Sequence, residues 1–159
     1  MNTNNDKKPD VKLFSSKFFA RTRISYILTM PFILMMIIPA VIADIFATVY
    51  QFTNFSVYKI PKVKRSKYII VDRHHLRHLN LMEKLFCVFC GYVNGVIQYC
   101  AEIGSRTEEF WCPIKHKKKV AYEHARYKNY IEYHDSNEYH QKRKNIRLQM
   151  KKDLEDTNS

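Results

Sequence analysis

Glycine is scarce in this chain, with three in 159 residues, and only one tryptophan is present. Of the five prolines, Pro31 and Pro39 fall inside one apolar segment. Turn-rich β architectures need frequent glycine and proline, whereas this chain has many Lys, Glu, Leu and Ile residues. The sequence therefore predicts an all-α protein.

Motifs that mark well-known enzyme classes are also missing. The sequence has no glycine-rich phosphate loop, no Ser-His-Asp order, no kinase signature and no internal repeat. The apolar run near its start lacks a small-x-small cleavage site and is longer than the apolar part of a signal peptide, so we expect no cleavage there. No reaction follows from these patterns.

Acidic residues are outnumbered, because 15 Asp and Glu face 27 Lys and Arg, giving a formal net charge of +12. The positive charge is spread along the chain, and it predicts attraction to anionic lipid headgroups or to nucleic acid. Basic residues and tyrosines interleave over 115–147, a composition that suits either a single-stranded nucleic acid or a membrane surface. The apolar segment nearby favours lipid, and we expect nucleic acid not to be a partner.

A membrane segment is predicted over 24–52. Residues 24–43 carry no charge over the length that crosses a hydrocarbon core, and apolar character continues to Phe52. The two prolines favour a kink. Basic residues flank the segment on both sides, so a kinked single span is favoured over a re-entrant hairpin on length alone. Residues 1–23 precede it as a basic and aromatic arm.

Asp44 interrupts this apolar segment, and 53–71 form a basic connector after it. The carboxylate either pairs with a cation or marks where the helix leaves the lipid, and the second interpretation is favoured. Pro61 prevents a continuous helix in the connector. Four of its cations are expected to face anionic headgroups: Lys62, Lys64, Arg65 and Lys67.

Residues 72–116 are predicted to form a helical core rich in Cys and His. Asp72 is a plausible N-cap, apolar residues recur at three and four from Arg73, and Gly104 is expected to end the helix. Gly91 and Gly95 lie one turn apart, a spacing that lets a second helix approach closely. That helix can come from another copy of the chain, which would make a homo-oligomer.

The strongest chemical pattern is Cys87-x-x-Cys90 followed by Cys112-x-x-x-His116. Three thiolates and one imidazole suit a tetrahedral Zn site, and thiolates also ligate iron, so Zn or Fe is the predicted cofactor. The site requires a turn that brings the second pair back to the first. The alternatives are plain packing of small residues and a reactive dithiol.

A second set of side chains offers further ligands for such a metal. Asp72, His75, Glu83 and Glu102 are predicted either to ligate the metal themselves or to hold its ligands in place, because carboxylates and histidines between helices hold di-iron centres. No E-x-x-H pair is present, which makes this pattern weaker than the cysteine pattern.

Residues 117–159 are predicted to be a basic helical tail with a break at Asp135 and a last helix over 138–154.

The chain contains several uncommon motifs in this order: V-K-R, D-R-H-H-L, E-K-x-x-C-x-x-C-x-Y-x-N-G and R-T-E-x-x-W-C-P-x-K-H. In these the chain resembles a family of short, uncharacterised bacterial inner-membrane proteins over about 24–117. The resemblance implies a bacterial inner membrane and carries no activity with it. The matching positions are Asp72, Arg73, His74, His75, Asn80, Glu83, Lys84, Cys87, Cys90, Asn94, Gly95, Glu102, Arg106, Thr107, Glu108, Trp111, Cys112, Pro113, Lys115 and His116.

Two functions are therefore expected. The first is a membrane-anchored metal-binding or thiol-redox helical protein with its main part on the cytoplasmic side. The alternative is a non-catalytic membrane adaptor whose basic tail binds anionic lipid or an acidic partner.

Overall fold

The computed structural model describes residues 24–75, 79, 81–135 and 138–158. The prediction of an all-α protein is confirmed, since helices form the regular structure of these residues and the only β feature among them is one isolated bridge, between Ile114 and Ile131. The predicted arm over 1–23 lies outside the described residues, as does Asn80.

The apolar N-terminal segment folds as helices joined end to end. Helices α1 (Ile24–Met35) and α2 (Ile37–Tyr50) meet at Met36, where the helix is interrupted. Pro39 explains the interruption, because it has no N–H to donate to the carbonyl of Met35. A π-helical turn (Gln51–Phe55) and the short helix α3 (Ser56–Tyr58) complete the run.

The chain leaves this run through Lys59, whose φ of 56° places it in the left-handed region. Such a conformation is uncommon for a residue with a Cβ, but it is a frequent way to end a helix. It turns the connector sharply back along the helices.

The second long helix, α4 (Leu81–Trp111), has 31 residues. It begins later than predicted, because the residues after Asp72 form a 3-10 turn (Arg73–His75). It also ends later, since Gly104 lies inside the helix with nothing near it, and Pro113 follows the last turn. One glycine costs a helix only about 1 kcal/mol, whereas proline disfavours helical geometry in the residue before it.

The helices α2 and α4 run parallel. Ala40, near the start of α2, packs against Phe89 and Val93. At the other end, the rings of Tyr58 and Trp111 meet edge to face with centroids 5.0 Å apart. Contacts between the two helices therefore advance in the same direction along both.

The connector returns between these two helices in the opposite direction, with one 3-10 turn (Arg65–Lys67) on the way. Its first residues lie beside the end of α4, because the Pro61 carbonyl accepts a hydrogen bond from Arg106. Its last residues reach Gly91, where the carbonyl of Ile70 is 3.4 Å from the position of a Cβ. The polypeptide thus forms a first helical run, a connector that returns beside it in the opposite direction, and a second long helix parallel to the first.

The hydrophobic core lies where the connector is enclosed. Phe55, Ile60, Val63, Tyr99 and Ile103 are buried there together with Met150. The last of these comes from the C-terminal helix α5 (Tyr139–Asn158), so the predicted final helix is confirmed and is packed against the core.

The predicted helical tail is wrong for its first part, 117–135. Apart from a 3-10 turn (Tyr127–Asn129), this segment is non-helical in the structure. Its backbone is tied by hydrogen bonds between Ile131 and both Pro113 and Lys115. Pro113, just before this segment, disfavours continuation of the helix. The hydrogen bonds to Ile131 take the place of the helical hydrogen bonds that the spacing of the sequence had indicated.

Within the described ranges, two helical stretches are long and apolar enough to cross a membrane. They are Leu28–Tyr58 and Leu81–Trp111, with mean hydropathies of 2.4 and 1.3 in their most apolar windows. The first covers most of the predicted membrane segment, from Leu28 to Phe52, and its outer side chains, such as Phe32 and Phe46, are 70% exposed.

Candidate functional site

The cysteines of the predicted metal site lie near opposite ends of one helix. Cys87 and Cys90 are in the first turns of α4, whereas Cys112 and His116 follow its end. At 1.5 Å per residue, the 25 positions from Cys87 to Cys112 span about 37 Å. The structure therefore does not bring the four ligands together, because α4 continues where a turn was expected.

The alternative ligands are separated in the same way. Asp72, His75 and Glu83 lie near the start of α4, and Glu102 lies in its second half, where Arg106 and Arg126 bind it. Among the residues whose placement is described, no group of three or more His, Cys, Asp and Glu side chains is close enough to hold a metal ion.

The carboxylate of Asp44 is buried and binds the connector. Arg65 donates to it from Nε and Nη2 at 2.9 and 2.5 Å, and the hydroxyl of Tyr92 donates at 3.0 Å. This hydrogen bond from Arg65 to the carboxylate raises the pKa of Arg65 despite the opposing effect of partial burial. The pairing of Asp44 with a cation, the less favoured interpretation, is thus what the structure shows, while the favoured interpretation, that Asp44 marks the exit from the lipid, stays a prediction.

Gln51 is a second buried attachment point for the connector. Its side-chain carbonyl accepts a hydrogen bond from the Val63 N–H at 2.6 Å. Its amide donates to the Val63 carbonyl at 3.2 Å and to the Tyr99 hydroxyl at 2.9 Å. One side chain of the π-helical turn thus satisfies both backbone groups of a buried connector residue and joins it to α4.

The glycine face of α4 is occupied by the connector. A Cβ on Gly95 would lie 2.7 Å from the carbonyl oxygen of Tyr68 and 2.9 Å from the Cα of Ile69. Close approach was predicted correctly at this glycine, but its partner is the chain's own return segment. A helix from a second copy cannot reach Gly95 while the connector lies there.

Carboxylates in the second half of α4 hold the non-helical segment in place. Arg126 donates to Glu109 at 2.6 Å and to Glu102 at 3.4 Å. Partial burial lowers the pKa of Arg126, but these two carboxylates outweigh that effect and raise it. His124 contacts Glu108 through Nε2 at 3.3 Å, while its Nδ1 is buried without a hydrogen-bond partner. In these contacts the acidic side chains bind residues of the same chain and so stabilise the fold.

A cationic groove of about 650 Å³ lies between the end of the first helical run, the connector and the end of α5. Three of the four predicted lipid-facing cations line it, together with one that sequence reasoning missed. They are Lys62, Lys64, Lys67 and Lys59. The left-handed conformation of Lys59 directs the following residues along the wall of the groove. The spacing of residue types in the sequence does not indicate this conformation. The fourth predicted cation, Arg65, is bound to a carboxylate instead.

The groove also has apolar and rigid parts. Phe55, Ile60 and Pro61 line one side, and Leu154 of α5 contributes from the other. Beside it, the ammonium of Lys62 lies 4.8 Å above the centre of an exposed phenylalanine ring, that of Phe52.

Comparison of the chain with protein-family models, with curated proteins and with solved structures finds no match.

Proposed function

We propose that this protein is a non-catalytic membrane adaptor that holds a folded cationic module against anionic lipid. One observation carries the proposal: the described carboxylates of the module are largely used in internal ion pairs, while the groove lysines are left without such partners. Glu102, Glu109, Glu132 and Asp135 all bind Arg or Lys within the chain. The surplus positive charge is therefore directed outward.

The first helical run would be the membrane anchor, and the start of α4, which packs beside Ala40, would lie next to the lipid-covered part of the run. The 31 residues of the run over Leu28–Tyr58 span about 46 Å, more than the roughly 30 Å of a hydrocarbon core, so its far end would remain outside the lipid or the run would tilt. If α4 crossed as well, the parallel arrangement would require the connector to cross back in non-helical form. Its backbone groups and lysines would then meet lipid, which is strongly unfavourable.

The module and its anchor form one folded unit. Ala40, Asp44, Gln51 and Phe55 are buried on the inner side of the first helical run, and the last two contact the connector or the core. An anchor packed in this way fixes the orientation of the module, which a flexible tether would not do. The groove would consequently have a defined height above the lipid.

The setting we propose is the cytoplasmic face of a bacterial inner membrane. The resemblance to bacterial inner-membrane proteins supports the membrane, and the Lys and Arg residues of the connector directly after the first helical run support the cytoplasmic face, where such residues accumulate. The predicted acidic partner stays an alternative to lipid as the ligand of the cationic surface. The homo-oligomer predicted through Gly91 and Gly95 is a separate prediction, and it would require the connector to leave that face.

The test is lipid preference of the full chain. We would equilibrate the detergent-solubilised protein with an equimolar mixture of phosphatidylglycerol and phosphatidylcholine and measure retained lipid by mass spectrometry. The proposal predicts enrichment of the anionic lipid and its loss at high salt. A retained ratio equal to that of the mixture at low salt would refute it.

The metal-binding or thiol-redox function stays a prediction. Because Cys87 and Cys112 are far apart in one chain, such a site would need ligands from a second molecule or a different fold around α4. Elemental analysis of the untagged protein is the direct test, and about one Zn or Fe per chain that is lost in a Cys87→Ser/Cys112→Ser variant would support this function over the adaptor.

A further inference from the structure

We propose that the cationic groove is a specific binding site for a phosphate group, and that its ligand is the headgroup of an anionic membrane lipid. This inference rests on the proposed function and makes it more specific. It assigns the preference for anionic lipid to one groove, and therefore to particular lysines, instead of to the net charge of the protein.

The charge of the groove is one-sided. Lys59, Lys62, Lys64 and Lys67 line it, and none of the described residues that line it is acidic. These four lysines form no ion pair with any described residue, whereas Lys115 and Lys142 elsewhere do. Four converging ammonium groups without a counter-ion create a field that a phosphate would neutralise.

Arg106 adds a fixed cation to the inner side of the groove. Its guanidinium donates to Glu102 at 2.8 Å and to the Pro61 carbonyl at 2.7 Å, and its side chain is only 16% exposed. Because these bonds use part of its donors, Arg106 holds the wall in place while the lysines provide the accessible charge.

The backbone that carries the lysines is held in position from both ends. The Ile60 N–H donates to the Phe55 carbonyl at 2.9 Å, and Val63 is held by Gln51 on both of its backbone groups. A fixed backbone reduces the entropy lost when a ligand orders the lysine side chains. The groove is therefore organised before a ligand arrives, unlike a charged stretch of disordered chain.

The apolar surroundings favour a lipid over a free anion. Next to the groove, the ring of Phe52 lies against the ammonium of Lys62 and is 57% exposed. Ile60 and Leu154 line the groove itself. A ligand with a phosphate and an attached acyl chain could contact the lysines and this apolar surface at once, whereas inorganic phosphate would contact only the lysines.

The experiment compares two variants of the full chain with the same change in net charge. The groove variant is Lys62→Gln/Lys64→Gln/Lys67→Gln. The control variant is Lys117→Gln/Lys118→Gln/Lys119→Gln, which removes three exposed lysines from a loop that does not line the groove. All six side chains are exposed, so both variants should keep the helix content and thermal transition of the wild type by circular dichroism.

The measurement is phosphatidylglycerol retention in the lipid mixture described above. The expected result is a loss on the order of tenfold or more in the groove variant, with retention in the control variant close to wild type. An equal loss in both variants would overturn the site, and the adaptor function would survive as an effect of net charge. Unchanged retention in the groove variant would also overturn the site.

A second arm separates a lipid from a soluble source of phosphate. Titration calorimetry of the wild type and the groove variant with glycerol 3-phosphate is expected to show no binding at concentrations where the lipid saturates the site. Groove-dependent binding of glycerol 3-phosphate without any lipid preference would overturn the lipid assignment and the adaptor function, and it would leave a soluble phosphate ester as the ligand.

Discussion

Alanine at Gly95 is the most informative single change in this structure. The added Cβ would lie 2.7 Å from the Tyr68 carbonyl oxygen and 2.9 Å from the Cα of Ile69. Both atoms belong to the backbone of the connector, so a rotamer change cannot relieve the contact. Either the connector moves away from α4 or the helix shifts.

Two opposing terms determine the magnitude. Replacing glycine by alanine inside a helix is favourable by about 1 kcal/mol, while overpacking of a close contact costs roughly 1–3 kcal/mol. For Gly95→Ala we expect a net decrease of about 0–2 kcal/mol in the free energy of unfolding. Gly104 supplies the control, because nothing lies within 4 Å of its added Cβ. Gly104→Ala should therefore raise stability by about 1 kcal/mol.

The assay is denaturant or thermal unfolding of both variants in the same detergent, followed by the helical circular dichroism signal. The predicted difference between the two alanine variants is about 1–3 kcal/mol, with Gly104→Ala the more stable. If Gly95→Ala stabilised the protein as much as Gly104→Ala, the connector would not be packed on this face of α4. The account of the fold would then be refuted.

Four further changes test other parts of the structure. Gln51→Leu should lower stability by about 2–4 kcal/mol, because buried backbone groups of the connector lose their partner. Arg126→Met should cost about 2–3 kcal/mol and speed amide hydrogen exchange over 112–135, since the buried carboxylate of Glu109 loses its cation and that of Glu102 is left with Arg106 alone. The pKa of Tyr130 is raised, first by burial and then by neighbouring carboxylates. Stability should therefore be full below the ordinary tyrosine pKa of about 10 and fall above it by up to about 1.4 kcal/mol per pH unit. Mild oxidation should not form a disulfide between Cys87 and Cys112 within one chain, because about 37 Å of helix separates them.

Each of these predictions has a result that contradicts it. Wild-type stability in Gln51→Leu, or unchanged exchange in Arg126→Met, would mean that the contacts assigned to these side chains do not form. A Tyr130→Phe variant should show a shallower alkaline decline than the wild type, and an equally steep decline would remove tyrosine ionisation as its cause. Mass mapping that found an intrachain link from Cys87 to Cys112 would reject a continuous α4.

The local features of the fold follow from the sequence, but its long-range pairings do not. The uncharged run over 24–43 and the periodic apolar residues after Leu81 are each sufficient to predict a long helix. Gly104 was expected to end α4 because single glycines often follow helix ends, yet packing of Ile103 and Tyr99 into the core outweighs its small helix penalty. Helix ends depend on such tertiary contacts, which spacing alone does not reveal.

The candidate site shows the same division. The lysines of the connector were visible as a basic stretch, whereas their convergence depends on the left-handed turn at Lys59 and on the attachment of Val63 to Gln51. The predicted metal site failed to assemble because it required a turn at a position where the helix continues. The ion pair of Asp44 is not apparent from the sequence, because its partner, Arg65, lies 21 residues away.

The direction of α4 relative to the first helical run is the central claim, because the groove and the single-span topology both depend on it. Two variants would carry cysteines only at the labelled positions, which are 57 and 81 in one variant and 57 and 112 in the other. Spin labels on these cysteines would give the Val57–Leu81 and Val57–Cys112 distances by pulsed electron paramagnetic resonance. Both label pairs use exposed positions. Parallel helices predict a Val57–Leu81 distance of roughly 40 Å or more and a much shorter distance to Cys112, since 30 residues of α4 separate its two ends. A short Val57–Leu81 distance with a long distance to Cys112 would show an antiparallel hairpin and contradict the account.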